Sequence, residues 1–154
     1  MSAALLTSAF LSFAGVLLAG WSGVTSASLS QHILFGIFST MLTLLTHSML
    51  MFYLIGKGKA VREAAAEGGL SGDFARRIAT LRRPVFSLAT VAMGLTIVTA
   101  LLGASVDTGM LPPSIHGLLA AIAIAANVAM LRAEVAALMG SAEVVAEVNR
   151  LLNA

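Results

Sequence analysis

Three histidines carry most of the chemistry this sequence can hold. His32 and His47 lie fifteen positions apart in "SQHILFGIFSTMLTLLTHSML", an apolar run over residues 30–50, and His116 opens a second apolar run. Imidazole is unfavourable in hydrocarbon unless its nitrogens find partners, so such residues are functional candidates by default. A buried imidazole can hydrogen-bond an amide or a hydroxyl on a neighbouring helix, ligate a metal, or hold a proton. The chain has no cysteine. That excludes disulfides, thiolate metal sites, iron–sulfur clusters, thioether-attached haem and cysteine nucleophiles.

The elements that must position these histidines follow from composition. Of 154 residues, 58% are hydrophobic and 10% charged, and the mean hydropathy is +0.96. Soluble domains carry about 25% charged residues, so this composition reads as one integral membrane domain, all-α. Four segments have the roughly 20 apolar residues needed to cross about 30 Å of hydrocarbon. They cover about 4–23, 32–55, 84–103 and 115–131, and together they predict a four-transmembrane-helix bundle. No Lys or Arg precedes the first run, so it reads as a retained helix rather than a signal peptide. The first connection, "SGVTSASLS", is short and uncharged, and the third, "GASVDTGMLPPS", has turn chemistry.

The second connection, 57–83, holds Lys57, Lys59, Arg62, Arg76, Arg77, Arg82 and Arg83, seven of the nine basic residues. The positive-inside rule makes it cytoplasmic. Both termini are then cytoplasmic, in an inner (plasma) membrane of bacterial type. Gly68-Gly69 should break a continuation of the second helix, and Ser71 can cap a second short helix leading into Pro84. The expectation is a cytoplasmic helical hairpin whose Arg82 and Arg83 meet anionic lipid headgroups. The tail, 132–154, keeps helical spacing at Val135, Leu138, Met139, Ala142, Val145 and Leu152, with Glu134, Glu143, Glu147 and Arg150 between. It extends the fourth helix, lies on the membrane surface, or packs on the hairpin. No internal repeat is evident.

Small and polar residues mark the faces that point inward. On the second helix His32, Gly36, Thr40, Thr43 and His47 form one stripe, and on the fourth His116, Ala120, Ala123, Asn127 and Met130 form another. Ser8, Ser12, Gly15 and Ala19 line the first helix, and Ala89, Ala92, Thr96, Thr99 and Gly103 the third. The second and fourth helices run in the same direction. His32 and His116 both fall in a first turn, so they match in depth. His47 lies roughly 22 Å beyond His32 and Asn127 roughly 16 Å beyond His116, from the rise per residue. His47 therefore has Asn127 or Met130 as its candidate partner.

Iron held between two imidazoles needs histidines on two helices, facing inward at one depth. His32 and His116 meet that requirement. The spacings His32-x14-His47 and His116-x13-Met130 resemble those of membrane b-type cytochromes, over roughly 40 residues of two helices. That resemblance implies a haem b on His32 and His116, and a second haem on His47 and Met130. Departures are the Met in place of a fourth His, the unpaired Gly15 and Gly94 on the other two helices, and the lack of an intramembrane arginine for propionates.

Other readings of the histidines are purely structural hydrogen bonding, or a chlorophyll-type pigment or quinone site at a single His such as His47. Zinc would want three or four close ligands, and the only carboxylate near the outer side is Asp107, in a loop. "GKGKAVRE" lacks phosphate-loop spacing, no hydrolase triad is present, and nucleic-acid binding has no support. The expectation is a subunit without catalytic residues of its own. It sits in the lipid bilayer with other membrane subunits or as a homo-oligomer, and it serves either electron transfer or a structural role.

Overall fold

The computed structural model describes residues 2–25 and 28–154 and consists of four helices without strands among those residues. They are α1 (Ser2–Val24), α2 (Leu29–Glu67), α3 (Phe74–Asp107) and α4 (Pro113–Leu152). All four are long and apolar enough to cross a membrane. The first connection includes positions 26 and 27, which lie outside the described residues.

The helix ends follow from local chemistry. Ser28 caps α2, with its hydroxyl accepting the Gln31 backbone N–H at 3.3 Å. At the other end Gly69 takes φ +63°, Gly69 N–H donates to the Ala66 carbonyl and Leu70 N–H to that of Ala65. This pair of reversed bonds satisfies carbonyls the helix leaves open and needs a residue that tolerates the left-handed region. Gly109, at φ +72°, closes α3 in the same way, with bonds to Val106 and Ser105. Pro112 and Pro113 then begin α4, where a missing backbone N–H costs nothing.

Two expectations change at this level. The cap of α3 is Asp73, not Ser71, and α3 runs unbroken through Pro84. Pro84 sits on an exposed face, while Ile78 and Val85 on the opposite face are fully packed. Tertiary packing therefore carries the helix across the one backbone bond that proline removes. The tail is a straight continuation of α4 to Leu152, and it packs on the α2–α3 hairpin.

Around the bundle α1 lies between α2 and α4, and so does α3. The diagonal pair α2 and α4 touch, whereas no Cα of α1 comes within 8 Å of α3 among the described residues. The main core joins Leu5, Leu50, Leu54, Val85, Ala89, Met130 and Leu138. At 1.5 Å per residue α1 is about 35 Å long and α4 about 60 Å. The three longer helices thus project past α1. There they form a second core of Val61, Phe74, Ile78, Val144 and Val148, flanked by the Arg77–Glu147 ion pair at 2.6 Å. Outward faces are apolar over the first part of α1, α2 and α4 and the later part of α3, with Trp21 69% and Phe52 72% exposed. In "MLMFYLI" only every third residue faces out, at Met49, Phe52 and Ile55: Leu50 and Leu54 are buried, and Met51 and Tyr53 pack against the core.

Some positions 84 residues apart play matching parts in the two halves of the bundle. Moving 84 positions along lays Ser12 on Thr96, His32 on His116, Thr43 on Asn127 and Leu54 on Leu138. Ser12 Oγ and Thr43 Oγ1 share a hydrogen bond of 2.9 Å, and Asn127 Nδ2 donates to Thr96 Oγ1 at 3.2 Å; both pairs are 31 residues apart. The helical pairs α1–α2 and α3–α4 each carry one such bond at these matching positions. They differ where His47 and Glu134 stand, since Leu131 and Leu50 occupy the matching positions.

Candidate functional site

Polar side chains collect at two levels of the bundle. The deeper level is a continuous network through α2, α3 and α4. His47 Nδ1 lies 2.9 Å from Glu134 Oε1, and its Nε2 lies 3.2 Å from Asn127 Oδ1. Asn127 Nδ2 donates to the Ala123 carbonyl at 2.9 Å and to Thr96 Oγ1, and Thr96 donates onward to the Ala92 carbonyl at 2.8 Å. His47 is 3% exposed, Asn127 3% and Glu134 1%. A network in so dry a place is held together because each unpaired group would carry its full desolvation cost. Glu134 Oε2 is buried with no protein partner, as is Thr46 Oγ1.

The second level is at the end of the bundle where the short connections lie. His32 and His116 approach across the α2–α4 diagonal with ring centroids 5.9 Å apart and planes at 83°. His32 Nδ1 lies 3.1 Å from the Ala19 carbonyl and 3.2 Å from Ser22 Oγ. A carbonyl only accepts, so Nδ1 carries the hydrogen and Nε2 presents its lone pair. His116 Nδ1 is buried without a hydrogen-bond partner. Each ring lies over a glycine: a Cβ at Gly23 would fall 2.9 Å from His32 Cε1, and one at Gly103 would fall 3.1 Å from His116 Cε1.

The structure thus brings His32 to His116, as their depths predict. It joins His47 to Asn127, one of its two candidate partners. Met130, the other, is fully buried in the main core beside Leu50, Leu54 and Val85. The residue that sequence reading misplaces is Glu134. Expected on the polar face of a cytoplasmic tail, it points into the bundle and bonds His47 across 87 residues of chain. A signal for it exists. His116, Ala120, Ala123, Asn127, Met130, Glu134 and Leu138 continue one stripe with steps of three or four. Ending the span at Leu131 cut that stripe short.

The fit of a haem differs between the two levels. At His32 and His116 the ring separation is on the order of two metal–nitrogen bonds of ~2 Å plus the ring radii. The Ala19 carbonyl orients His32 as outer-shell partners orient metal-bound imidazoles. His116 keeps an orphaned nitrogen, and α1 and α3 stand apart on the other diagonal. At His47 both nitrogens are engaged, and Met130 is sealed among aliphatic side chains, so this level does not fit a haem. Among the described residues no three His, Asp or Glu side chains converge as a metal cluster would require. Comparison with protein-family models, with curated proteins and with solved structures finds no match for this chain.

Proposed function

We propose that this chain is a multi-pass inner-membrane subunit that carries electrons through a b-type haem held by His32 and His116. The observation that carries the reading is the 5.9 Å approach of these two imidazoles across the diagonal of the bundle. A haem there supplies one-electron chemistry. The protein's part is to fix the His32 tautomer through Ala19, to seat both rings against Gly23 and Gly103, and to surround the site with apolar helix faces. The basic hairpin faces the cytoplasm by the positive-inside rule. Arg83 is exposed near the end of the apolar part of α3, and Arg82 lies over the Phe86 ring at 5.4 Å. Both are placed to meet anionic headgroups. The hairpin and tail offer the polar surface through which partner subunits dock.

A visible spectrum of the purified protein, reduced with dithionite, tests this reading. The expected result is the alpha band of a b-type haem, lost in His32→Ala and in His116→Ala and kept in His47→Gln. Absence of any such band after expression with ample haem, or its survival in His32→Ala, overturns it.

A second reading, a structural subunit without cofactor, is favoured by the full engagement of His47. Hydrogen bonds between membrane helices average about 0.6 kcal/mol, enough to fix which helix faces meet. On that reading the protein is colourless, and both the His32→Ala and His116→Ala variants fold and assemble.

A further inference from the structure

We infer that His47 and Glu134 form a proton-binding site inside the bundle, holding one exchangeable proton between Nδ1 and Oε1. The proton count follows from which atoms can donate. The Ala123 carbonyl has only lone pairs, so the Asn127 atom 2.9 Å from it is the amide nitrogen. Thr96 Oγ1 gives its hydrogen to the Ala92 carbonyl and so accepts from the same nitrogen. Asn127 Oδ1 therefore faces His47, and His47 Nε2, 3.2 Å away, carries a hydrogen.

The other ring nitrogen meets Glu134 Oε1 at 2.9 Å. A neutral ring with its hydrogen on Nε2 presents a lone pair at Nδ1, and an ionised carboxylate presents only lone pairs. Two lone pairs cannot make this contact. One more proton lies between the atoms, as imidazolium with carboxylate or as neutral imidazole accepting from a carboxylic acid. Both forms have no net charge, which a dry interior favours over a lone buried anion. Release of the proton to the medium leaves a net charge of −1 and takes away one of the two His47 bonds that tie α2 to α4. Glu134 Oε2, buried and unpartnered, gives the carboxyl a second position for the proton as it arrives or leaves.

Among the described residues no other ionisable group bonds to the pair. α1 has none between Ser2 and Val24, and α3 has none between Arg83 and Asp107. On α4 the nearest is Arg132, which is exposed, and on α2 the nearest are the Tyr53 phenol, six positions away and half-buried against the core, then Lys57 and His32, ten and fifteen positions away. The site stands apart from His32 and His116, and its proton count does not depend on what those residues bind.

The test uses the full chain, labelled with 15N-histidine and reconstituted in lipid nanodiscs. Ring-nitrogen NMR and carboxyl infrared bands are followed through a pH titration, with His47 assigned from His47→Gln. The expected result is a hydrogen on His47 Nε2 throughout, with one proton per chain lost in a step that moves the His47 Nδ1 signal and a carboxyl band together. Glu134→Gln removes this shared step and leaves the His32 and His116 signals in place. A His47 ring with bare Nε2 and its hydrogen on Nδ1 overturns the proposal, and so does an identical His47 titration in wild type and Glu134→Gln. If Glu134→Gln does not fold, the wild-type tautomer and the coupled step decide alone.

Discussion

Glu134 Oε1 and His47 Nδ1 lie 2.9 Å apart although 87 residues separate them in the chain. This contact ties α4 to α2 across the diagonal of the bundle, just inside the main aliphatic core. It also breaks the likeness between the two helical pairs, because the matching positions are Leu50 and Leu131.

Removing one member of this pair leaves the other buried without compensation. His47→Ala or Glu134→Ala is therefore expected to destabilise the bundle by about 3–5 kcal/mol. Replacing both by leucine restores the apolar pattern of the other helical pair and is expected to cost less than either single change. Unfolding in mild detergent measures this, and strictly additive losses would count against a coupled pair.

The neutral bonds deserve a smaller figure. Ser12→Ala removes the Ser12–Thr43 bond and is expected to cost about 0.6 kcal/mol, the usual scale between membrane helices. Asn127→Leu leaves the His47 Nε2–H without an acceptor and is expected to cost about 1–3 kcal/mol. The same unfolding experiment ranks the two, and equal losses would show that Asn127 does not hold His47.

Much of this arrangement is legible in the sequence, and the failures have identifiable causes. Length and hydropathy reveal four helices, Gly68-Gly69 marks the turn, and equal depth pairs His32 with His116. Glu134 escapes because a charged residue just past Arg132 looks like the beginning of a soluble tail. The stripe from His116 runs on through Glu134 to Leu138, and the reach of His47 shows what that continuation is for. Pro84 misleads for the opposite reason: a local breaking signal is overruled by packing of Ile78 and Val85 on the far side of the helix. The likeness of the two helical pairs is hard to read because it lies in matched bonding, with Ser12 answered by Thr96 and Thr43 by Asn127, and seldom in identity.

At the hairpin, the Arg76 guanidinium donates to Asp73 at 2.9 Å and holds that carboxyl below its ordinary value of 3.8. A carboxyl depressed in the folded state contributes its stabilisation above the unfolded value and loses it as pH falls through the folded one. Protection against hydrogen exchange of the Arg77 amide, which donates to the Asp73 carbonyl at 2.9 Å, is expected to hold from neutral pH to about pH 4 and to fall below that. Asp73→Asn is expected to lack this acid step. The same acid loss in both proteins would assign it to another group.

Gly23 and Gly103 offer the sharpest separation of the two readings of the histidine pair. An added methyl at Gly23 would press on His32 Cε1, and one at Gly103 on His116 Cε1. Overpacking of this kind costs typically about 1–3 kcal/mol. Gly36, with nothing within 4 Å of an added Cβ, is the control, where alanine gains up to about 1 kcal/mol of helix propensity. Gly23→Ala and Gly103→Ala are expected to lower the unfolding midpoint while Gly36→Ala leaves it level or raises it. If His32 and His116 hold a haem, the first two variants also lose or shift the alpha band, because the rings can no longer both face the iron. If the pair is structural, stability alone changes. A Gly23→Ala protein as stable as the wild type, with an unaltered spectrum, would show that the His32 ring does not rest on that glycine.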